Sequence, residues 1–349
     1  MKYFTKREDR INVLLIVFLV CIVLANLIQI YNYKADERFT WDSGVLSKKG
    51  NIVQVSTCYF HHTDAWNYDV DKDQIIDDGW DEINYSEKSK DNAFYPDSLS
   101  ITWFSYTEQK FYKGDFKLPY DIILEKAKYL RETTTQYEST FARENPNQIL
   151  LNFLAEILPN GKIVVWISDY DKKFKIGEYQ AKTVNETWHI FDDYDEKNSD
   201  SKIDIGKKVA LVMEQHSYNI DLNLPDGFHL TKAQVELYNQ NDWNLGDDKN
   251  GKPYIFQNIP SGIHISWEND TRGFASQIGF NESEILDAFR EMDSPKEVKP
   301  LLLELTINEK NDSILISLKN DHRVVKIVSS YIYVHPLAQN DKNMEEVSK

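Results

Sequence analysis

Four aspartates open the question of chemistry. Asp69, Asp71, Asp73 and Asp77 lie in "DVDKDQIIDDGWDE", residues 69–82. Carboxylates at alternate positions can converge on one hard cation, and here the first three occupy positions 1, 3 and 5 of a calcium-type loop. Ile76 suits position 8 and Asp77 suits position 9. Two positions fail, since Gln74 stands where such loops place Gly and Trp80 where they place an acidic ligand, with Asp81 one residue late. The other reading is a solvated acidic loop. The two failures weigh toward it, so these four aspartates are a candidate calcium set and no metal or cofactor is assigned.

A second cluster, Cys58, His61, His62 and Asp64, carries side chains of zinc or Cys–His nucleophile chemistry. Its required partners would have to come from the scattered His189, His216, His229, His264, His322 and His335. The chain contains no C-x-x-C, H-E-x-x-H, G-x-S-x-G, Walker loop or G-x-G-x-x-G. A strand-end cysteine beside loop histidines accounts for the cluster without chemistry. Catalysis by carboxylates leaves no short motif, so a hydrolase stays open, but no catalytic residue is assigned. Tryptophan offers a different function. Trp66, Trp80 and Trp243 lie in acidic, Asn-rich stretches, and a Trp within a polar rim is what protein-binding surfaces use. Those three form the candidate partner site, whereas Trp103, Trp166 and Trp267 lie on alternating strands and read as core.

The elements that must hold these residues are written with an echo. "PDSLSITW" at Pro96–Trp103 returns as "PSGIHISW" at Pro260–Trp267, 164 positions later. The same spacing takes Phe116 to Phe280 and brings "NIVQVSTCYF" from Asn51 opposite "QHSYNIDLNL" from Gln215. A short amphipathic helix follows each phenylalanine, with Pro119 in the first turn of one and Ser283 as N-cap of the other. Strands with a period near two resume afterwards. The first copy has extra material around "RETTTQYESTFARENPNQILLNFLAEI", whose later part reads as helical. The expected fold is α+β: two tandem related units, each an antiparallel sheet with a packed helix, after an N-terminal transmembrane helix.

That helix comes from residues 12–31, which carry no charge and follow Lys2, Lys6, Arg7 and Arg10. As a helix they span about 30 Å, the hydrocarbon thickness. Basic residues before the span place the N-terminus in the cytoplasm and send the rest across. "VLA" at Val23–Ala25 also fits signal-peptide cleavage, although the apolar run continues through Leu27, Ile28 and Ile30. Lipid attachment at Cys21 fits less well, because Val20 replaces the small residue expected before it. All three readings export the remaining chain. With one cysteine, Cys58, outside the span, that part has no internal disulfide. A large exported body without disulfides reads as bacterial and periplasmic.

The organisation expected is therefore a cytoplasmic basic tail (1–11), the anchor (12–31), a stalk (32–50), a first unit (51–190), an acidic linker and connecting strand (191–214), a second unit (215–336) and a disordered tail (337–349). Formal net charge is −16, with 56 acidic against 40 basic residues, so the backbone of a nucleic acid is excluded as a partner. The field favours a basic one.

The first copy also carries a recognisable pattern. Trp103, Ser105, Glu108, Phe111, Tyr112, Gly114, Phe116, Leu118 and Pro119, followed by Val164, Val165, Trp166, Gly177, Tyr179, Gln180 and Ala181, resemble the bacterial family called domain of unknown function 2931 over about residues 50–185. The second copy keeps only the Trp, one Phe and the helix. The resemblance implies an envelope protein, in some members encoded beside secreted antibacterial effectors and so an immunity protein. It supplies no catalytic residues. Taken together, the expectation is a single-pass inner-membrane protein with a periplasmic body that binds another protein. The alternatives are an envelope structural or assembly factor, and a periplasmic hydrolase or calcium-dependent protein.

Overall fold

The computed structural model describes residues 2–33, 38–62, 70–138, 149–191, 204–245, 257–293 and 300–337. Helix α1 runs from Lys2 to Tyr33. Its stretch Ile11–Ile28 has a mean hydropathy of 3.0 with none of it buried, so among the described residues one helix is long and apolar enough to cross a membrane. Asn26, near the far end of that stretch, donates its side-chain amide to the Ile22 carbonyl at 2.9 Å and so spends its polarity inside the helix.

The chain divides into two compact units, Met1–Glu186 and Thr187–Lys349. In the first, the strands are β1 (Arg38–Ser47), β2 (Val53–His61), β3 (Ile75–Ile76), β4 (Asn84–Tyr85), β5 (Lys90–Phe94), β6 (Ser98–Ser105) and β7 (Lys110–Lys117). Helix α2 (Tyr120–Thr133) precedes β8 (Leu151–Leu158), β9 (Lys162–Ser168), β10 (Lys173–Gln180) and β11 (Lys182–Val184). One sheet has the order β10-β9-β8-β1-β4 with β5 also on β1, and the other the order β11-β7-β6-β2-β3. One core takes Trp41 and Phe153 from the first sheet, Val55 and Trp103 from the second, and Ile123, Ala127 and Leu130 from α2. The last three recur at helical spacing and give α2 one apolar face.

The second unit begins with helix α3 (Ile205–Met213), followed by β12 (Gln215–His216), β13 (Tyr218–Asn223), β14 (His229–Leu237), β15 (Asp242–Asn244), β16 (Gln257–Asn258), β17 (Pro260–Glu268) and β18 (Gly273–Phe280). Helix α4 (Glu282–Met292) and strands β19 (Leu301–Ile307), β20 (Ile314–Lys319), β21 (Val324–Lys326) and β22 (Ser329–Pro336) complete it. Its larger sheets have the orders β13-β19-β20-β21 and β15-β14-β17-β18-β22. Their core holds Trp267, Ile278, Leu303 and Leu305 together with Ile285 and Phe289 of α4.

The architecture is thus mixed α+β and mostly sheet, with several antiparallel sheets behind one apolar helix. It departs from the sequence reading in specific places. Each unit builds two principal sheets where one was expected, and β1–β8 and β13–β19 pair in parallel. The expected stalk contains β1, whose Trp41 and Val45 are fully buried, so residues 38–47 are a central strand. The apolar run at 151–158 is a strand, not helix; a short apolar run flanked by polar residues has no periodicity with which to distinguish the two. Residues 205–213 of the expected linker form α3, capped by the Asp204 carboxylate, which accepts from the Lys207 backbone N–H. Helix α4 is capped by Asn281, whose side chain accepts from Ser283 and Glu284, so the cap lies two residues before Ser283.

Two pairings in the repeat also change. Residues 51–60 supply β2, in the sheet of β6, whereas residues 215–224 supply β12 and β13, of which β13 joins β19 in a different sheet. In the observed orders, β14 holds the place of β2. Trp103 lies opposite Tyr112 and Trp267 opposite Phe274, so the second hairpin is two residues shorter and Phe280 takes the place of Leu118, not of Phe116. A two-residue change preserves the faces of a strand, which is why the sequence echo survives it. The expected tail from 338 onward lies outside the described residues.

Candidate partner-binding site

The acidic stretch that drew attention in the sequence is a strap within the first unit. Ile75 and Ile76 form β3 against Gln54 and Val53 of β2, and both side chains are buried. Nine residues on, Asn84 and Tyr85 pair with Val45 and Gly44 of β1 in the other sheet. The strap is pinned by apolar burial at Ile75 and Ile76 and by ladder hydrogen bonds and the buried Asn84 amide at its other end, and the 3-10 turn Gly79–Asp81 between them presents Trp80. The Glu82 carboxylate accepts from the Asp77 and Asp78 backbone N–H groups at 3.0 and 3.4 Å, and Asp78 pairs with Lys49 at 2.5 Å.

Trp80 is half-buried. Its ring meets the edge of Trp166 on β9, with centroids 5.6 Å apart and planes at 81°. The Lys173 ammonium of β10 lies 3.4 Å over the Trp80 ring and 5.7 Å from that of Trp166. Trp166 in turn donates its indole N–H to Glu156 on β8 at 2.8 Å. A cation over two indoles gains from both ring faces, an attraction of about 0.5–2 kcal/mol per contact. The register explains the assembly: Trp166 pairs with Leu154 on one side and Lys175 on the other, which puts Lys173 one diagonal step away.

Two tyrosines extend this surface. Tyr170, in the β9–β10 turn, is 62% exposed and has φ 77°, a left-handed conformation that costs a bulky residue about 1–2 kcal/mol. Tyr85 is 37% exposed, and its phenol is pushed above the usual value by partial burial, then by the nearby Tyr170 and Asp42. The Asp42 carboxylate of β1 lies near Tyr85, and the strap adds carboxylates of its own around Trp80. Burial first, then Glu82 and Asp78, push the Asp77 carboxyl upward from its ordinary value. The result is an aromatic platform holding one cation, bordered by carboxylates. It can stack on apolar or planar groups and attract positive charge.

Of the three predicted partner-site tryptophans, Trp80 belongs to this platform. Trp243 is in β15 of the second unit, opposite Val235, and packs partly buried against that unit's core. Trp66 lies outside the described residues, as do Asp64 and Asp69. Lys173, Tyr170 and Glu156 were not foreseen. The alternation of "KKFKIGEYQ" marks an exposed strand, but no local signal links it to Trp80, some 90 positions away.

Of the calcium candidates, Asp71, Asp73 and Asp77 lie within the described residues. Asp71 accepts from the Asp73 backbone N–H at 2.9 Å in an Asx-type turn, and Asn84 binds the Asp71 backbone through both halves of its amide. Among the described residues, no three His, Cys, Asp or Glu side chains are grouped so as to hold a metal ion. Cys58 is fully buried on β2, His61 contacts the Ser100 hydroxyl at 3.3 Å, and His62 stacks at a tilt on Phe94 and Tyr120.

A further polar group sits in the second unit. His216 is buried against Phe289, with its Nδ1 2.7 Å from Asp293 and its Nε2 3.7 Å from Glu214, which also pairs with Arg290. The Arg290 hydrogen bond holds the Glu214 carboxyl below its ordinary value. These contacts tie the end of α4 to the chain that follows α3.

The family described as protein of unknown function (DUF2931) matches residues 29–221, more than half of the chain, and the chain belongs to that family. The match begins within α1 and includes β1, in accord with β1 being part of the unit. No curated protein matches the chain.

Proposed function

We propose that this member of the DUF2931 family is a membrane-anchored, periplasm-facing protein whose body binds another protein, and that the partner is a secreted antibacterial effector that it neutralises. The observation that carries the binding reading is the Trp80–Lys173–Trp166 platform with Tyr170 turned outward, because a bulky side chain in a left-handed turn is retained at a structural cost. Acidic strap residues around it, in a chain of net charge −16, favour a basic partner. Support for the anchor comes from the unburied apolar helix. Lys2, Lys6, Arg7 and Arg10 before it support a cytoplasmic N-terminus in the inner membrane.

The two units also share a strand order. Reading β10-β9-β8-β1 beside β21-β20-β19-β13, and β3-β2-β6-β7-β11 beside β15-β14-β17-β18-β22, each strand has a counterpart in chain order. That agreement supports descent from one duplicated unit.

Survival tests the effector reading. Cells lacking the protein are challenged with the secreted effector encoded beside its gene. They are expected to die, to be rescued by the wild-type chain, and to be rescued poorly by a W80A/K173E variant that is still inserted and folded. Survival of the deleted cells would end the immunity reading; full rescue by the variant would move the binding surface elsewhere.

A further inference from the structure

The second unit ends in a strand edge unlike the other long one. Strand β22 is eight residues long, "SSYIYVHP", and among the described residues it pairs only with β18. The comparably long edge strand, β10, carries Lys173, Lys175 and Glu178, the usual protection of an edge against pairing. Of the other edges, β13 has six residues and carries Asp221, β5 has five and carries Lys90 and Asp91, and β3, β4, β11, β15 and β21 have two or three each. Neither β22 nor its neighbour β18, "GFASQIGF", contains an Asp, Glu, Lys or Arg, in a chain where 28% of residues are charged. Tyr331 and Tyr333 stack on the outer face, 39% and 64% exposed, with ring centroids 5.3 Å apart. Gly279 on β18 lets the Tyr331 ring lie flat, since a Cβ there would fall 2.4 Å from it.

We infer that β22 is the self-pairing edge of the protein: two copies join antiparallel, β22 to β22, about a two-fold axis through Ile332. The backbone direction fits. Leu337 donates its N–H to Gly273 at 2.8 Å, and β22 pairs with β18 without a register shift from Tyr331 to Pro336. From Tyr331 onward, odd-numbered residues therefore turn their backbone polar groups toward β18, and Ile332 and Val334 turn theirs outward, while the bulge at Ser330 interrupts the alternation. About Ile332, Ile332 meets its own copy, where each gives and takes one hydrogen bond, and Val334 falls opposite Ser330 at the bulge. Pro336, the next outward position, has no N–H and ends the ladder.

The side chains fit the same axis. Tyr331 falls opposite Tyr333 of the second copy at a non-hydrogen-bonded pair, where side chains approach most closely. The stacked pair on each copy becomes a cluster of four rings. An edge without charge lets two acidic chains approach here without local repulsion, and the "YIY" sequence is its own complement about the axis. Two five-stranded sheets become one continuous sheet.

The test uses the full chain in lipid nanodiscs, weighed by mass photometry and sedimentation. Wild type is expected as two copies, and Y331K/Y333K, which sets Lys opposite Lys, as one, with the dissociation constant raised roughly a hundredfold. Thermal unfolding of the variant monitored by circular dichroism is expected to match wild type, both tyrosines being exposed. A readout on wild type needs no variant: photo-oxidation of mixed isotopically heavy and light chains is expected to join Tyr331 of one to Tyr333 of the other. A single-copy wild type would overturn the inference, as would a Y331K/Y333K protein that still pairs, or heavy–light dityrosine absent from this strand. None of these outcomes bears on the effector reading, which rests on the first unit.

Discussion

The two units place a tryptophan at the same point in their strand order and secure it by different chemistry. In the first, Trp103 stacks on Tyr112 at 5.1 Å and 21°, and the β8–β9 turn closes over that tyrosine through Gly161, where a Cβ would lie 2.7 Å from the ring. In the second, Trp267 stacks on Phe274 at 5.8 Å and 19°, and the β19–β20 turn reaches in through Asn311, whose side-chain amide oxygen accepts the indole N–H at 2.6 Å. One unit clasps its two sheets by shape, the other by a buried hydrogen bond. The position demands a large planar side chain between two sheets, while the turn that covers it is free to choose its means.

Replacing the tryptophans gives the largest expected effect. W103A and W267A each leave a cavity in a fully buried core and should cost about 3–5 kcal/mol. Calorimetry should show W103A lowering a transition that W267A leaves in place, and the reverse. A single transition lowered by both would mean that the units do not melt as separate bodies.

The clasps come next. G161A adds a Cβ against Tyr112 at a backbone with φ +72° and should cost about 2 kcal/mol. N311A strands the Trp267 indole N–H and should cost about 1–3 kcal/mol. Restoring shape alone should not rescue N311A, so N311L remaining as unstable as N311A in urea titrations would support the hydrogen-bond account; recovery in N311L would refute it.

Helix starts differ as well. Asn281 caps α4 with its side chain, whereas Pro119 at the same place before α2 makes no side-chain cap. N281A should cost about 1 kcal/mol, seen as faster amide exchange in the first turn of α4, and P119A less. Equal losses would remove the distinction.

The smallest effects are in pH dependence. Asp77 is raised by burial, so its contribution to stability is fully present below the unfolded value of 3.8 and is lost as pH rises through the folded one. D77N should stabilise the first unit at neutral pH and change nothing in strong acid. Glu304 of the second unit is lowered, chiefly by its hydrogen bond from Lys319, so its contribution is present above 4.5 and is lost as pH falls through the folded value. E304Q should destabilise at neutral pH and be silent in acid. Urea midpoints at pH 7 and pH 3 check both signs; the same sign for the two variants at neutral pH would contradict them.

Much of the fold is legible in local pattern. The uncharged run 12–31 lies within α1, the alternation in "LLLELTI" gives β19 its buried face, and the apolar run in "GKIVVWIS" marks the mostly buried β9. The amphipathic helices after the two hairpins also form. Elements made by long-range pairing were harder to read. Strand β1 hides beyond the anchor because its residues "RFTWDSGVLS" are buried on both faces by partners far along the chain, and a strand covered on two sides does not alternate. The site was half legible: Trp80 could be singled out as a tryptophan among acids, but Lys173 and Trp166 reach it only because β9 and β10 pass beneath the strap.

Composition and order along the chain alone determined an apolar helix followed by an acidic, sheet-rich body, and the Pro-to-Trp echo that marks one strand in each unit. These are short-range properties, carried by hydropathy and by spacings of two or 3.6 residues. Tertiary structure decided which strands share a sheet, which residue caps a helix, and that the acidic loop is a strap holding an indole under a lysine. It also decided which strands, among the described residues, stand at the edge of a sheet. Those outcomes depend on contacts between residues tens of positions apart, where burial and register, not local preference, select the partner.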